Sequence, residues 1–202
     1  MAGFYVWPML NWGMGVLLSQ ASRAMGRRLN RQRESTELEL DLARMTALAA
    51  FTARSLRTAR PRPFGAAIVE TTTGKLVLSA LNAVREQTDP TAHAEVQAIR
   101  KATRKLKKLS LAGYTLYTTC EPCPMCMSAV LWAALDRVVY GATIEDANRH
   151  CNQIQIPAAE VAERSDMQCI VAGPILREEC YALFTNPRML RAFRSWQTRK
   201  QS

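Results

Sequence analysis

The triplet His93-Ala94-Glu95 is followed, further along the chain, by Pro122-Cys123-Pro124-Met125-Cys126. One imidazole and two thiolates make three ligands for a tetrahedral zinc ion, and they leave its fourth position open to water. An open position is what separates a catalytic zinc from a structural one. Glu95, two residues after the histidine, offers that water a proton carrier. A chain built this way must fold so that two distant segments converge on one ion.

Local chemistry suggests how each segment presents its ligands. Asp89-Pro90-Thr91 reads as a turn entering a helix from Ala92, with Thr91 as its N-cap. His93 and Glu95 then occupy the first turn. Positions i and i+2 do not share a helix face, so one side chain can hold the metal while the other reaches past it. Cys123 and Cys126, spaced i, i+3, lie on one face of a second helix, and Pro124 suits its opening turn. Helix N-termini aimed at the metal favour thiolates. Two blander readings use the same residues. Cys123-x-x-Cys126 can be a redox pair, and Cys120, Cys123, Cys126 and His93 can close a structural zinc site. Both leave Glu95 idle. His150, the other of two histidines, sits in the polar stretch Asn148-Arg149-His150 and reads as a solvated loop residue.

The flanks carry a resemblance. Pro63-Phe64-Gly65-Ala66-Ala67-Ile68-Val69, Asn82-Ala83-Val84, Asp89 to Glu95, Tyr117 to Cys126 and Val138-Val139-Tyr140-Gly141-Ala142 occur in order. Over residues 36–185 the chain resembles the cytidine deaminase-like superfamily, in the branch that holds guanine deaminases, plant guanosine deaminases and bacterial tRNA adenosine deaminases. That resemblance implies one zinc per subunit, hydrolytic deamination, and a three-layer α/β/α sandwich around a five-stranded mixed sheet. It also implies that Asn82 hydrogen-bonds the base, that backbone amides near Ala94 and Cys123 assist, and that the protein is a homodimer. Zinc lowers the pKa of its water toward about 7. The resemblance implies that this hydroxide would attack the ring carbon bearing the exocyclic amine, with Glu95 as the proton shuttle.

Periodicity agrees with an α/β layer fold. Leu38 to Leu56 is helical, with Met45, Leu48 and Phe51 among its apolar positions. Phe64 to Val69 and Leu76 to Val84 read as strands joined by the hairpin signal Thr73-Gly74-Lys75. The zinc helix runs to about Lys107. Tyr114 to Thr119 is a strand, the cysteine helix follows to Leu135, and Arg137 to Ala142 and Gln168 to Ala172 are further strands. Ile175 to Phe184 and Arg188 to Gln197 are helical. Six cysteines without a clear secretory signal favour reduced thiols and a metal site over a disulfide framework. Cys169 reads as a small core residue.

Substrate choice divides the signals. Trp132, in Ala129-Val130-Leu131-Trp132-Ala133, resembles guanine deaminases and is either core or part of a base pocket. Gly141-Ala142 is followed by Thr143-Ile144-Glu145-Asp146-Ala147, which lacks the Lys-Thr-Gly-Ala element of tRNA deaminases and the Gly-Phe-Asp-Asp element of guanine deaminases. A free purine base or nucleoside is the first reading. A net charge of +10 suits a polyanion, so a tRNA adenosine deaminase is the second. Arg100, Lys101, Arg104, Lys105, Lys107 and Lys108 form one basic cluster, and Arg188, Arg191, Arg194, Arg199 and Lys200 form another. A non-catalytic zinc or nucleic-acid-binding module is the third reading, and Glu95 argues against it.

The expected organisation is an apolar and basic extension over residues 1–35, the zinc domain over 36–185, and a basic C-terminal helix over 186–202. Phe4 to Leu18 is too short and too interrupted for a clear transmembrane segment, which needs roughly 20 residues. An acid-poor run with Arg23, Arg27, Arg28, Arg31 and Arg33 fits an organelle transit peptide, an interfacial helix or a packed extension. The cytoplasm is the default compartment.

Overall fold

The computed structural model describes residues 12–198. Along the chain run α1 (Trp12–Ser55), β1 (Gly65–Glu70), β2 (Leu76–Leu81), α2 (Val84–Gln87), α3 (Ala94–Leu106), β3 (Tyr114–Cys120) and α4 (Pro124–Trp132). There follow β4 (Arg137–Ala142), α5 (Ile144–Asn148), α6 (Ala158–Glu163), β5 (Ile170–Ala172), α7 (Arg177–Thr185) and α8 (Pro187–Thr198). The chain divides into two compact units at Leu40/Asp41.

In the first unit, the side chains described between residues 25 and 39 are all exposed. This stretch of α1 is held by its own backbone and by local bonds such as Asn30 Nδ2 to Glu34 Oε1 at 2.6 Å. The apolar run from Phe4 lies partly outside the described residues, as do Arg199 and Lys200. No described helix is long and apolar enough to cross a membrane.

The second unit is the expected sandwich. Its five strands are ordered β2-β1-β3-β4-β5. β1 is antiparallel to β2 and β3, whereas β3–β4 and β4–β5 are parallel, so the sheet is mixed. Alternation along the strands separates two cores, because successive strand side chains point to opposite faces. Ala66 and Ile68 on β1, Leu116 on β3 and Val138 on β4 face one layer with Ala98 and Ala102 of α3 and Met127 and Val130 of α4. Ala67, Val69, Tyr117 and Val139 face the other, with Met45 and Leu48 of α1, Leu183 and Phe184 of α7, and Met189 and Phe193 of α8. Fully burying an aliphatic or aromatic side chain of this kind contributes roughly 1.5–3 kcal/mol.

The structure departs from the sequence expectations at several points. The zinc helix begins at Ala94, not Ala92, because Thr91 is used elsewhere: its N–H and hydroxyl both bond Asp89 Oδ1, at 2.8 and 2.7 Å. The cysteine helix ends at Trp132, where Ala134 turns with φ of 53°. α8 packs into the second core, where Met189 and Phe193 are fully or nearly fully buried. His150 is half-buried rather than solvated: it stacks on Phe193 at 5.8 Å, and its Nε2 lies 3.2 Å from the Tyr181 hydroxyl. Cys169 packs at the margin of its core, and Cys180 is the fully buried one. At Gly141 a Cβ would lie 2.6 Å from Cys180 Cβ, which requires glycine where α7 crosses β4.

Candidate metal and active site

Two helices begin at the same place. His93 is the N-cap of α3, with φ −63° and ψ 158°, and Cys123 is the N-cap of α4, with φ −64° and ψ 165°. Neither side chain caps its own helix, so both remain available to a metal. Pro124 opens α4 at no hydrogen-bond cost. β3 delivers Cys120 at its end and hands the chain on to this loop.

The three ligand atoms converge. His93 Nδ1 lies 3.7 Å from Cys123 Sγ and 3.5 Å from Cys126 Sγ. All three ligand atoms fall within 4.8 Å of one another. A tetrahedral zinc with Zn–S of about 2.3 Å and Zn–N of about 2.0–2.1 Å sets nitrogen and sulfur about 3.6 Å apart. The spacing therefore fits the ion, through Nδ1 of the histidine. Cys120 is absent from the triad, which removes the closed four-ligand alternative, and its Sγ bonds Thr143 O at 3.7 Å instead.

The electrostatics fit a metal site. A hydrogen bond from the Cys126 thiol holds Cys123 down to about 4, and the same bond, together with burial, holds Cys126 well above the usual thiol range. Zinc, when bound, would displace the remaining thiol proton. The bond to Cys123 raises His93. Glu95, the second residue of α3, is 6% exposed, and burial raises its carboxyl although the nearby His93 opposes the shift. A buried carboxyl beside a three-ligand cluster is the arrangement expected of a proton carrier.

Asn82 directly follows β2. Its backbone N–H bonds Phe64 O at 3.1 Å, and the next residue, Ala83, bonds Ala92 O at 2.8 Å, tying the strand end to the zinc loop. Asn82 Oδ1 accepts from Val84 N–H at 3.0 Å, which fixes the amide and leaves its Nδ2 as the donor end. Ala94 is buried at the first position of α3. Trp132 is not brought to the cluster. It ends α4, nine residues from Cys123, about 13 Å along a helix axis, and is 78% exposed. It lines an outer groove with Ile156, Val161 and Met167, so it is not a core residue.

Several supports escaped the sequence reading. Glu121 accepts from Ile144 N–H at 3.1 Å and from Ala158 N–H at 3.0 Å, clamping the ligand loop to the segments after β4. Gln87 and Gln97 exchange reciprocal amide bonds of 3.1 and 3.0 Å, locking α2 to α3. Asp146 closes a capping box with Thr143 and takes a bidentate bond from Arg177, both distances 2.8 Å, which holds its carboxyl down to about 2. The Thr143-x-x-Asp146 spacing was the local signal for that helix start. The other pairs join residues with no sequence signature.

The sequence profile of the cytidine and deoxycytidylate deaminase zinc-binding region matches residues 39–142, just over half of the chain. The chain belongs to this family. It is 49% identical over 85 residues to guanine deaminase of Bacillus subtilis (strain 168), covering 42% of this chain and 53% of that protein. It therefore spans about half the length of that relative. With the tRNA-specific adenosine deaminase of the same organism it shares 36% identity over 118 residues, covering 58% of this chain and 70% of that protein. Among solved structures, guanine deaminase from Nitrosomonas europaea superposes with a TM-score of 0.64 at 25% identity, covering 76% of this chain and 84% of that one. A tRNA:A34 deaminase structure gives a TM-score of 0.59 at 28% identity, covering 70% and 99%. Zinc is the metal of this family's site.

Proposed function

We propose that this chain is a zinc-dependent hydrolase that removes the exocyclic amine of a free purine base or nucleoside of guanine or guanosine type. The observation that carries the reading is the His93–Cys123–Cys126 triad with buried Glu95 two residues after the histidine. Zinc, when bound, supplies a Lewis acid that makes water a nucleophile near neutral pH. Glu95 would carry one proton from that water to the ring nitrogen, then take the proton of the added hydroxyl and pass it to the departing amine. The ring carbon gains oxygen, its bond to nitrogen breaks, and ammonia leaves. Asn82 Nδ2 and the Ala94 N–H orient the ring. The 49% identity to a guanine deaminase supports the purine choice.

A second reading is a tRNA adenosine deaminase, favoured by the net charge of +10 and by the 70% coverage of a tRNA-specific relative. Ammonia release by the zinc-loaded protein separates the two. Guanine or guanosine should turn over, and an unmodified tRNA should not. Activity on tRNA alone would overturn the purine assignment.

A second copy of the chain is the expected partner. The groove holding exposed Trp132, Ile156 and Met167 is the apolar surface available to it. Light scattering at the mass of a single chain refutes the dimer.

A further inference from the structure

Four arginines line one hollow that the zinc site does not use. Arg54 and Arg57, at and just beyond the end of α1, face Arg188 and Arg191 in the first turns of α8 across a groove of about 620 Å³. Ala50, Ala53, Leu56 and Pro187 form its apolar walls, and no acidic residue lines it. Among the described residues, no carboxylate lies within ion-pair distance of any of the four arginines. Like charges gathered this way repel one another, and an anion relieves the repulsion.

Part of the groove is already organised. Arg188 Nη1 donates to Arg57 O at 2.8 Å, which ties α8 to the segment after α1. Arg54 stacks over the Phe51 ring at 5.6 Å. Asn186 Oδ1 accepts from Arg188 N–H at 3.0 Å, so α8 starts within the groove and adds the positive end of its dipole. Planar guanidiniums suit phosphoryl oxygens because they donate paired hydrogen bonds. The volume is that of a small-molecule site, roughly 300–1,000 Å³.

We propose that this groove binds a compact polyphosphate, such as the phosphate chain of a nucleoside di- or triphosphate or a free inorganic polyphosphate. Four arginines from the end of α1 and the start of α8 line one concavity, which suits adjacent phosphoryl groups on a short chain. This site is separate from the zinc cluster and does not depend on which substrate is deaminated.

Calorimetric titration of the zinc-loaded full chain with sodium tripolyphosphate at about 0.15 M salt tests the proposal. One saturable site is expected. Arg54→Glu with Arg191→Glu should weaken it about tenfold or more, and the milder double alanine variant should weaken it in the same direction. Both side chains are exposed, so neither change disturbs the core. Lys101→Glu with Lys108→Glu, on the basic end of α3, makes the same change in net charge and should leave the site within about threefold. A nucleoside triphosphate that binds more tightly than tripolyphosphate identifies a nucleotide as the source; equal affinity identifies free polyphosphate. Absence of a saturable site, or equal weakening by both reversals, overturns the proposal. So does displacement of tripolyphosphate by an RNA oligonucleotide of higher affinity, since the groove is then part of an RNA surface.

Discussion

Glu95→Ala retains one zinc per chain and loses turnover by at least about 10²–10⁴-fold. The ligand atoms belong to His93, Cys123 and Cys126, so removing the carboxylate leaves the triad intact. Glu95 is 6% exposed and follows the ligand on α3, so the substitution leaves a small cavity and no strained backbone. Glu95→Gln is the sharper variant: it preserves volume and hydrogen bonding but cannot accept a proton, and it should be as inactive as alanine. Metal content by elemental analysis, read beside ammonia release, separates the outcomes. Loss of zinc along with activity means that Glu95 supports the ligands, and retained turnover in the glutamine variant sinks the proton-carrier role.

Asp41→Ala lowers the free energy of unfolding by about 3–5 kcal/mol, the range for breaking a buried ion pair from one side. Asp41 receives Arg137 Nη1 and Nη2 on its two oxygens, both at 2.7 Å, and the Tyr117 hydroxyl on Oδ1 at 2.7 Å. The side chains of Asp41 and Arg137 are only 4% and 11% exposed. Together the three residues fasten the α1 segment after Asp41 to β3 and β4 on one face of the sheet. Burial, and then the bond to Asp41, hold the Tyr117 hydroxyl well above its usual range, so it stays a donor at any ordinary pH. Removing the carboxylate takes away the acceptor of two Arg137 bonds and of the Tyr117 hydroxyl bond in a water-poor layer. Replacing Asp41 and Arg137 together with apolar residues should cost far less, because no buried charge is then stranded. Urea denaturation of the three variants measures the difference. A loss below about 1 kcal/mol for Asp41→Ala would show that water reaches the site and screens it.

The contrast between these residues explains how much was legible. His93, Glu95, Cys123 and Cys126 announce themselves because metal chemistry restricts residue type and spacing within each short segment. Strand alternation such as Ala66-Ala67-Ile68-Val69 is equally local, and so is the hairpin glycine at residue 74, whose φ is 66°. Asp41, Glu121, Gln97 and Arg177 carry no such mark. Each acts through a partner at long separation or through a loop amide, and a carboxylate or amide in sequence reads as solvated surface.

Trp132 and His150 show the same limit from the other side. Helical spacing placed Trp132 on α4 but could not say which part of the helix meets the protein, and the tryptophan stands 78% exposed on the outer surface. A polar neighbourhood suggested solvent for His150, yet Tyr181 and Phe193 come from later helices to pack around it. The sequence by itself marked zinc, the three residues that could hold it, the proposed proton carrier and the layered α/β class, because each follows from short-range periodicity or the valence of one ion. Only the tertiary structure decided that both ligand segments enter as helix N-caps and that His93 presents Nδ1. It alone decided that a buried ion pair fastens the sheet and that four arginines share one groove. Those features are made by residues far apart in the chain, and only packing brings them within a few ångströms.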